Sequence, residues 1–167
     1  MGTGPEKGKE DIVADMRYRC EGRLVIVAHT SASPSDEEWS GYAREVAAVL
    51  SRSAPEDVRT VVFTDGGGPN AEQRRMLTEI KGWNIVRVSV VSQSLAVRGI
   101  VTAFSWFNPK IKAFLPIAVG AAFRHLGLSP DEESRVWSTV KEFQDAGMGH
   151  LGHLSGGSDH PAAPPPR

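Results

Sequence analysis

The chain has 167 residues, 40% of them hydrophobic and 23% charged, with a formal net charge of −1 and one cysteine. These values fit a globular domain able to fold without staples; they exclude a disulfide framework, a CxxC site and the strongly basic balance of a nucleic-acid binder. Glycine and proline, 17 and 11 residues, make up about 17% of the chain against a usual ~12%. The surplus lies in residues 1–10 and 147–167, so one domain over 11–146 is expected between two disordered ends. The opening MGTGPEKGKED has no apolar signal segment, Glu6 stands where myristoylation wants Ser or Thr, and no apolar run approaches ~18 residues. A cytoplasmic protein without a transmembrane segment is expected.

In chain order, Ile12–Tyr18 and Leu24–Ala28 read as an antiparallel strand pair around a turn at Cys20-Glu21-Gly22-Arg23. Ser35 stands three residues before Glu38, the capping-box spacing, and opens a helix with Trp39, Tyr42, Ala43, Val46, Ala47 and Leu50 on one face. Val58–Phe63 is a short buried strand ending in Thr64-Asp65-Gly66-Gly67-Gly68-Pro69. A helix follows over about Ala71–Ile80, with Asn70 as N-cap and Gln73 at the box position. Ile85–Val91 is the fourth strand, and Ser92 or Ser94 caps a third helix that stops at Asn108-Pro109. Ile111–Phe114 fits an edge strand, Leu115–Leu126 an apolar helix, and Ser129-Pro130-Asp131-Glu132 the start of a last helix. The order ββαβαβα, with this edge strand and two C-terminal helices, predicts an α/β fold: a mostly parallel sheet with an antiparallel N-terminal pair.

Charge is unevenly distributed. Between Ile80 and Pro130 there is no acid, while Lys81, Arg87, Arg98, Lys110, Lys112 and Arg124 are basic. The segment is either a solvated face or one that meets an anionic ligand, a membrane surface or an acidic partner.

The segment Val61-Val62-Phe63-Thr64-Asp65-Gly66-Gly67-Gly68-Pro69-Asn70 runs a buried strand through three glycines into a helix start. Free amides and the positive end of the helix dipole then converge where no side chain obstructs, as in an anion site, with Arg74 and Arg75 one turn further on. The other reading is a sharp turn in which glycine serves the backbone. The loop is neither a Walker A nor GxGxxG, so no nucleotide cofactor is expected, and no cofactor of any kind is implied.

This strand-TDGGGPN-helix turn after the third strand, the ββαβαβα order and the later SLAVRGIVTAFSWFNPKIKAF together resemble the SpoIIAA-like branch of the STAS domains over roughly residues 11–126. These are anti-sigma-factor-antagonist-like signalling modules, with one branch grouped with Sec14-type lipid-binding domains. The resemblance implies a regulatory module and an exposed loop at Thr64–Pro69, with Asp65 at the family's acidic position. Gly66 and Gly67 stand where the family's phosphoacceptor hydroxyl falls and only Thr64 carries one nearby, so phosphorylation does not carry over.

Other patterns compete. His29-Thr30-Ser31-Ala32-Ser33 and Thr64-Asp65-Gly66 resemble parts of the metal-ion-dependent adhesion site of von Willebrand A domains, but His29 replaces the leading Asp that a Mg²⁺ ion needs. Ser31 or Ser33 with His29 and Asp65 would make a small hydrolase, without a GxSxG elbow. His150, His153, Asp159 and His160 lie among glycines that oppose a shared metal site. Trp106 and Phe107, with Lys110 and Lys112, form an aromatic and basic exit from the third helix. The leading expectation is a non-enzymatic module that recognises a protein partner through Thr64, Asp65, Gly66, Gly67, Gly68, Asn70, Arg74, Ser94, Arg98, Trp106 and Lys110. An anion such as phosphate or a lipid head group is its modulator; the alternative is a lipid or other apolar small-molecule binder.

Overall fold

The computed structural model describes residues 14–148 and Leu151. Strands β1 (Met16–Glu21) and β2 (Leu24–His29) form an antiparallel hairpin, while β3 (Arg59–Thr64), β4 (Arg87–Val91) and β5 (Ile111–Phe114) run parallel to β2. The five strands stand in the sheet in the order in which they occur in the chain. This is the expected α/β architecture, edge strand included.

The first strand differs from expectation at both ends: it begins at Met16, and Cys20 and Glu21, expected in the turn, belong to it. Gly22 adopts φ +61°, a conformation costly for other residues, and the tight turn pairs Glu21 directly with Leu24. That pairing sets the register and carries β1 to Glu21, three residues past the expected end. Residues 12 and 13 lie outside the described residues.

Helices α1 (Asp36–Ser51), α2 (Ala71–Thr78) and α3 (Leu95–Ser105) connect β2 to β3, β3 to β4 and β4 to β5. Because neighbouring parallel strands are joined by crossovers of one hand, all three helices cover the same face. Strand alternation supplies that face with Val25 and Val27, Val88 and Val90, and Ile111, which pack with Trp39, Leu77, Trp83, Val101 and Phe104. The expected capping boxes, the one at Ser129–Glu132 included, form at the helix starts. Ser35 Oγ accepts from the Glu38 amide at 3.1 Å, and Asn70 Oδ1 from the Gln73 amide at 2.9 Å, contacts each worth about 1 kcal/mol.

The opposite face is covered by α4 (Val119–Leu126) and α5 (Pro130–Asp145). Leu24, Ile26, Ala28, Val61, Phe63 and Val91 meet Phe123, Leu126, Val136, Val140 and Phe143 there. Trp137 stands against both Phe63 and Phe123, with centroids at 5.7 and 5.5 Å. A two-pronged ion pair fixes the start of α5: Arg59 donates to the Glu132 carboxylate at 3.1 and 2.5 Å. The Arg59 guanidinium holds the Glu132 carboxyl down at about 2.

Two C-terminal expectations are corrected. The apolar stretch Leu115–Leu126 begins as a 3-10 turn at Pro116–Ala118, and the α-helix starts only at Val119. The domain boundary does not fall after residue 146, because Met148 and Leu151 are fully buried in the α4–α5 face. The rest of the expected tail, with His150, His153, Asp159 and His160, lies outside the described residues.

Candidate functional site

In an open parallel sheet the carboxyl ends of the strands form the natural binding edge. Here that edge carries His29, Thr64 and the loop to Asn70. Of the two readings of this loop, bared amides or a turn that serves the backbone, four amides follow the second. The Asp65 amide donates to the His29 carbonyl at 3.3 Å, the Gly67 amide to the Thr30 carbonyl at 2.9 Å, and the Gly66 amide to Thr64 Oγ1 at 3.1 Å. The Asn70 and Gln73 amides are used in the capping box.

Gly67, Gly68 and Pro69 are buried rather than exposed. The reason is close packing. A Cβ on Gly67 would lie 2.0 Å from the Ala32 carbonyl oxygen and 2.5 Å from that of Thr30, and one on Gly68 would lie 3.2 Å from Ile100. Gly67 and Gly68 let the segment after β2 and helix α3 approach the backbone, while Gly66 takes a φ of +118°. Gln73 seals the arrangement by donating to the Pro34 carbonyl at 3.0 Å and to Asp36 Oδ1 at 2.9 Å.

The hydroxyl of Thr64 is likewise committed. It is buried, donates to the Gly67 carbonyl at 2.5 Å and accepts from the Gly66 amide. Arg74 donates to the Pro69 carbonyl at 3.0 Å, and Arg75 pairs with Glu72 and Glu79 along its own helix. Asp65, half-buried, leads the loop.

His29 is the residue whose role was least visible. It continues the inward set of Val25 and Val27, and period-two parity along Leu24–His29 is the signal that places it on the inner face. It is 3% exposed and its ring stacks on Trp39, centroids 6.2 Å apart. Burial pushes its pKa down to about 4, against a weaker opposing pull from Glu38, so the ring is neutral at pH 7. Its Nδ1 has no hydrogen-bond partner, and neither Asp65 nor a serine is bonded there. Ser31 and Ser33 lie exposed on the loop beyond it.

Beneath this edge lies a cavity of about 60 Å³ between the sheet and α1–α3, with His29, Trp39, Val62, Val90, Ile100 and Phe104 among its walls. It is almost wholly apolar. Thr64 and Gly67–Pro69 close its upper end.

The remaining expected site residues fall into two groups. Ser94 approaches the loop, since a Cβ on Gly66 would lie 3.6 Å from its Oγ. It occupies the N-cap position of α3 without a side-chain cap bond, and Ser92 Oγ accepts from its amide instead. Arg98 stands one turn along, in a groove between α3 and β5 that also includes Val97, Phe114 and Leu115. Three aliphatic side chains in the segments that follow β4 and β5 are exposed: Leu95, Leu115 and Ile117, the last 89% exposed. The sequence reading did not single them out, although an aliphatic residue beside a helix cap or a proline is the available signal.

Trp106 and Lys110 belong elsewhere. Helix α3 returns toward the amino ends of the strands, and its 11 residues separate its two ends by about 16 Å. Trp106 and Phe107, both exposed, border a groove between α2 and α3 with Arg74 and Arg75. Lys110 is exposed immediately before β5. The aromatic pair is therefore separated from Ser94 by the length of α3, while Arg74 shares a groove with it.

Among the described residues no group of three or more His, Cys, Asp or Glu side chains could hold a metal ion, and no helix is long and apolar enough to cross a membrane. What fold and site together define is an α/β module with a concave apolar interior at the carboxyl edge of its sheet. Set against protein families, curated proteins and solved structures, the chain matches none.

Proposed function

We propose that the chain is a non-enzymatic, STAS-like regulatory module that recognises a protein partner at the carboxyl edge of β4 and β5. The observation that carries this reading is the exposure of Leu95, Leu115 and Ile117 in the segments that follow β4 and β5, with Leu115 sharing a groove with Arg98. Exposed aliphatic groups and a cation at one edge are what a partner with apolar anchors and a carboxylate would cover.

Charge agrees with this. The whole span from Ile80 to Pro130 is free of acids, so an acidic partner segment meets no repulsion from the α3–β5 edge. Short β5, with Lys112 and Ala113 exposed, has unpaired backbone groups to which an extended segment adds as a strand. The anionic modulator becomes, in this proposal, the partner's carboxylate or phosphate at Arg98 and Ser94, because the Asp65, Gly66, Gly67 and Asn70 amides are already bonded.

A photo-crosslinker placed at Leu95 in the full chain tests the reading. A discrete adduct should form in a native extract and be lost when Arg98→Ala and Ile117→Asp are combined, with folding intact by circular dichroism. No adduct, or an adduct indifferent to both changes, rejects this surface.

A further inference from the structure

We infer that the groove between α2 and α3 binds the chain's own proline-rich segment, residues 161–167, folded back in cis. The proposal goes beyond the partner reading and uses a different surface, at the C-terminal end of α3.

The aromatic side of this groove is exposed yet firmly held. Trp106 is 80% exposed and Phe107 59%, a large aromatic surface for two neighbouring residues to leave in water. Fraying of a helix end would account for such exposure, but this turn is pinned. The Phe107 and Asn108 amides both donate to the Phe104 carbonyl, at 3.0 and 2.9 Å. Asn108 is fully buried and donates to the Trp83 and Val86 carbonyls at 3.0 and 2.8 Å. Phe104, which also lines the groove, packs on Trp83 with centroids 5.2 Å apart. The two rings therefore stand on a prepared platform, and little order has to be gained when something covers them.

An aromatic-lined groove suits a polyproline II segment, which is extended before it binds and presents every third residue on one face. The chain carries such a segment, Pro161-Ala162-Ala163-Pro164-Pro165-Pro166-Arg167. Pro161 and Pro164 share a face ~9 Å apart in that conformation, and the alanines between them add little bulk. Charge is matched in sign on both sides. Asp159 precedes the prolines and Arg167 follows them, while the groove offers Arg74 and Arg75 together with Glu79.

Reach is sufficient. Leu151 is buried in the α4–α5 face, and residues 152–167 follow it. At ~3.1 Å per residue they span ~50 Å, against roughly 35 Å across a domain of this size. Gly152, Gly156 and Gly157 with Ser155 and Ser158 give the intervening stretch the composition of a linker. Such a tether supplies an effective concentration on the order of millimolar, so a contact too weak to persist between separate molecules is populated within one.

The test is NMR of the full chain beside a variant carrying Pro161→Ser, Pro164→Ser, Pro165→Ser and Pro166→Ser, changes that lie outside the packed core. The Trp106 indole N–H and the resonances of Ala71, Ala103 and Phe107 should differ between the two, and by the same amount on dilution. A synthetic peptide of residues 159–167 added to the variant should move those resonances saturably toward their wild-type positions. Adding Trp106→Ala to the variant, which removes an exposed ring, should weaken the peptide about tenfold. Identical groove resonances in wild type and variant would overturn the proposal. So would differences that fade on dilution, which belong to the segment of a second copy, or a peptide affinity indifferent to Trp106→Ala. None of these results bears on the partner surface at Arg98.

Discussion

The two faces of the sheet receive almost equal shares of aliphatic side chains from the same strands, yet they are completed differently. On the α4–α5 face the large rings of Phe63, Phe123 and Trp137 interlock, and Met148 and Leu151 are added from beyond the last helix. On the α1–α3 face the rings of Trp39, Tyr42, Trp83 and Phe104 stand around a space they do not fill, at the end where His29 turns inward. One face is packed as an interior normally is. The other gives up part of that packing at the edge where parallel sheets bind.

That contrast can be broken most forcefully on the filled side. Phe63→Ala should cost about 4 kcal/mol in a urea titration, because the cavity it leaves is braced by Trp137 and Phe123 and cannot collapse. An effect under half that size would mean that this face is looser than its ring contacts imply.

Acid should separate the faces next. The folded pKa of His29 is depressed to about 4 from 6.5, so the native state resists protonation. Stability is full above pH 6.5 and falls as pH drops toward 4, by on the order of 3 kcal/mol. Glu132 is depressed from 4.5 to about 2, and its contribution is present above pH 4.5 and lost toward pH 2, on the order of 2 kcal/mol. Unfolding free energies across pH should therefore show an upper step removed by His29→Leu and a lower one removed by Glu132→Gln.

Between the faces and the edge lies Gly67. Gly67→Ala should cost about 2 kcal/mol by thermal unfolding, since its Cβ must push against the Ala32 and Thr30 carbonyls. The smallest and sharpest comparison uses adjacent residues on opposite faces. Val61→Ile, at a position with no exposure, should destabilise by about 1 kcal/mol through overpacking, whereas Val62→Ile should stabilise by about 0.5 kcal/mol by entering the hollow. Matched losses at both positions would erase the distinction.

Much of this frame is local and can be read along the chain. The pairs Ser35–Glu38, Asn70–Gln73 and Ser129–Glu132 all form capping boxes, because a cap depends on residues one turn apart. The start of β1 is less legible, since its register follows from its partner and from the turn at Gly22, whereas alternation alone favours an earlier start. The glycine loop is harder still. Whether its amides are offered to a ligand or consumed depends on the Thr30 and His29 carbonyls, which are brought in by another strand. Burial of Met148 and Leu151 is hidden by the glycines around them. The separation of Trp106 from Ser94 follows only once the direction of α3 is known.

The agreement of strand order with chain order bears on how the protein is made. As each crossover is completed, a helix is laid over the α1–α3 side beside a strand already in place. The other side gains no cover during those steps. Leu24, Ile26, Val61 and Phe63 must wait for residues 119–151 to emerge from synthesis, so the nascent chain passes through a stage with one apolar face open. Association between unfinished chains is most costly then, and α4 and α5 act as the closing layer that ends it.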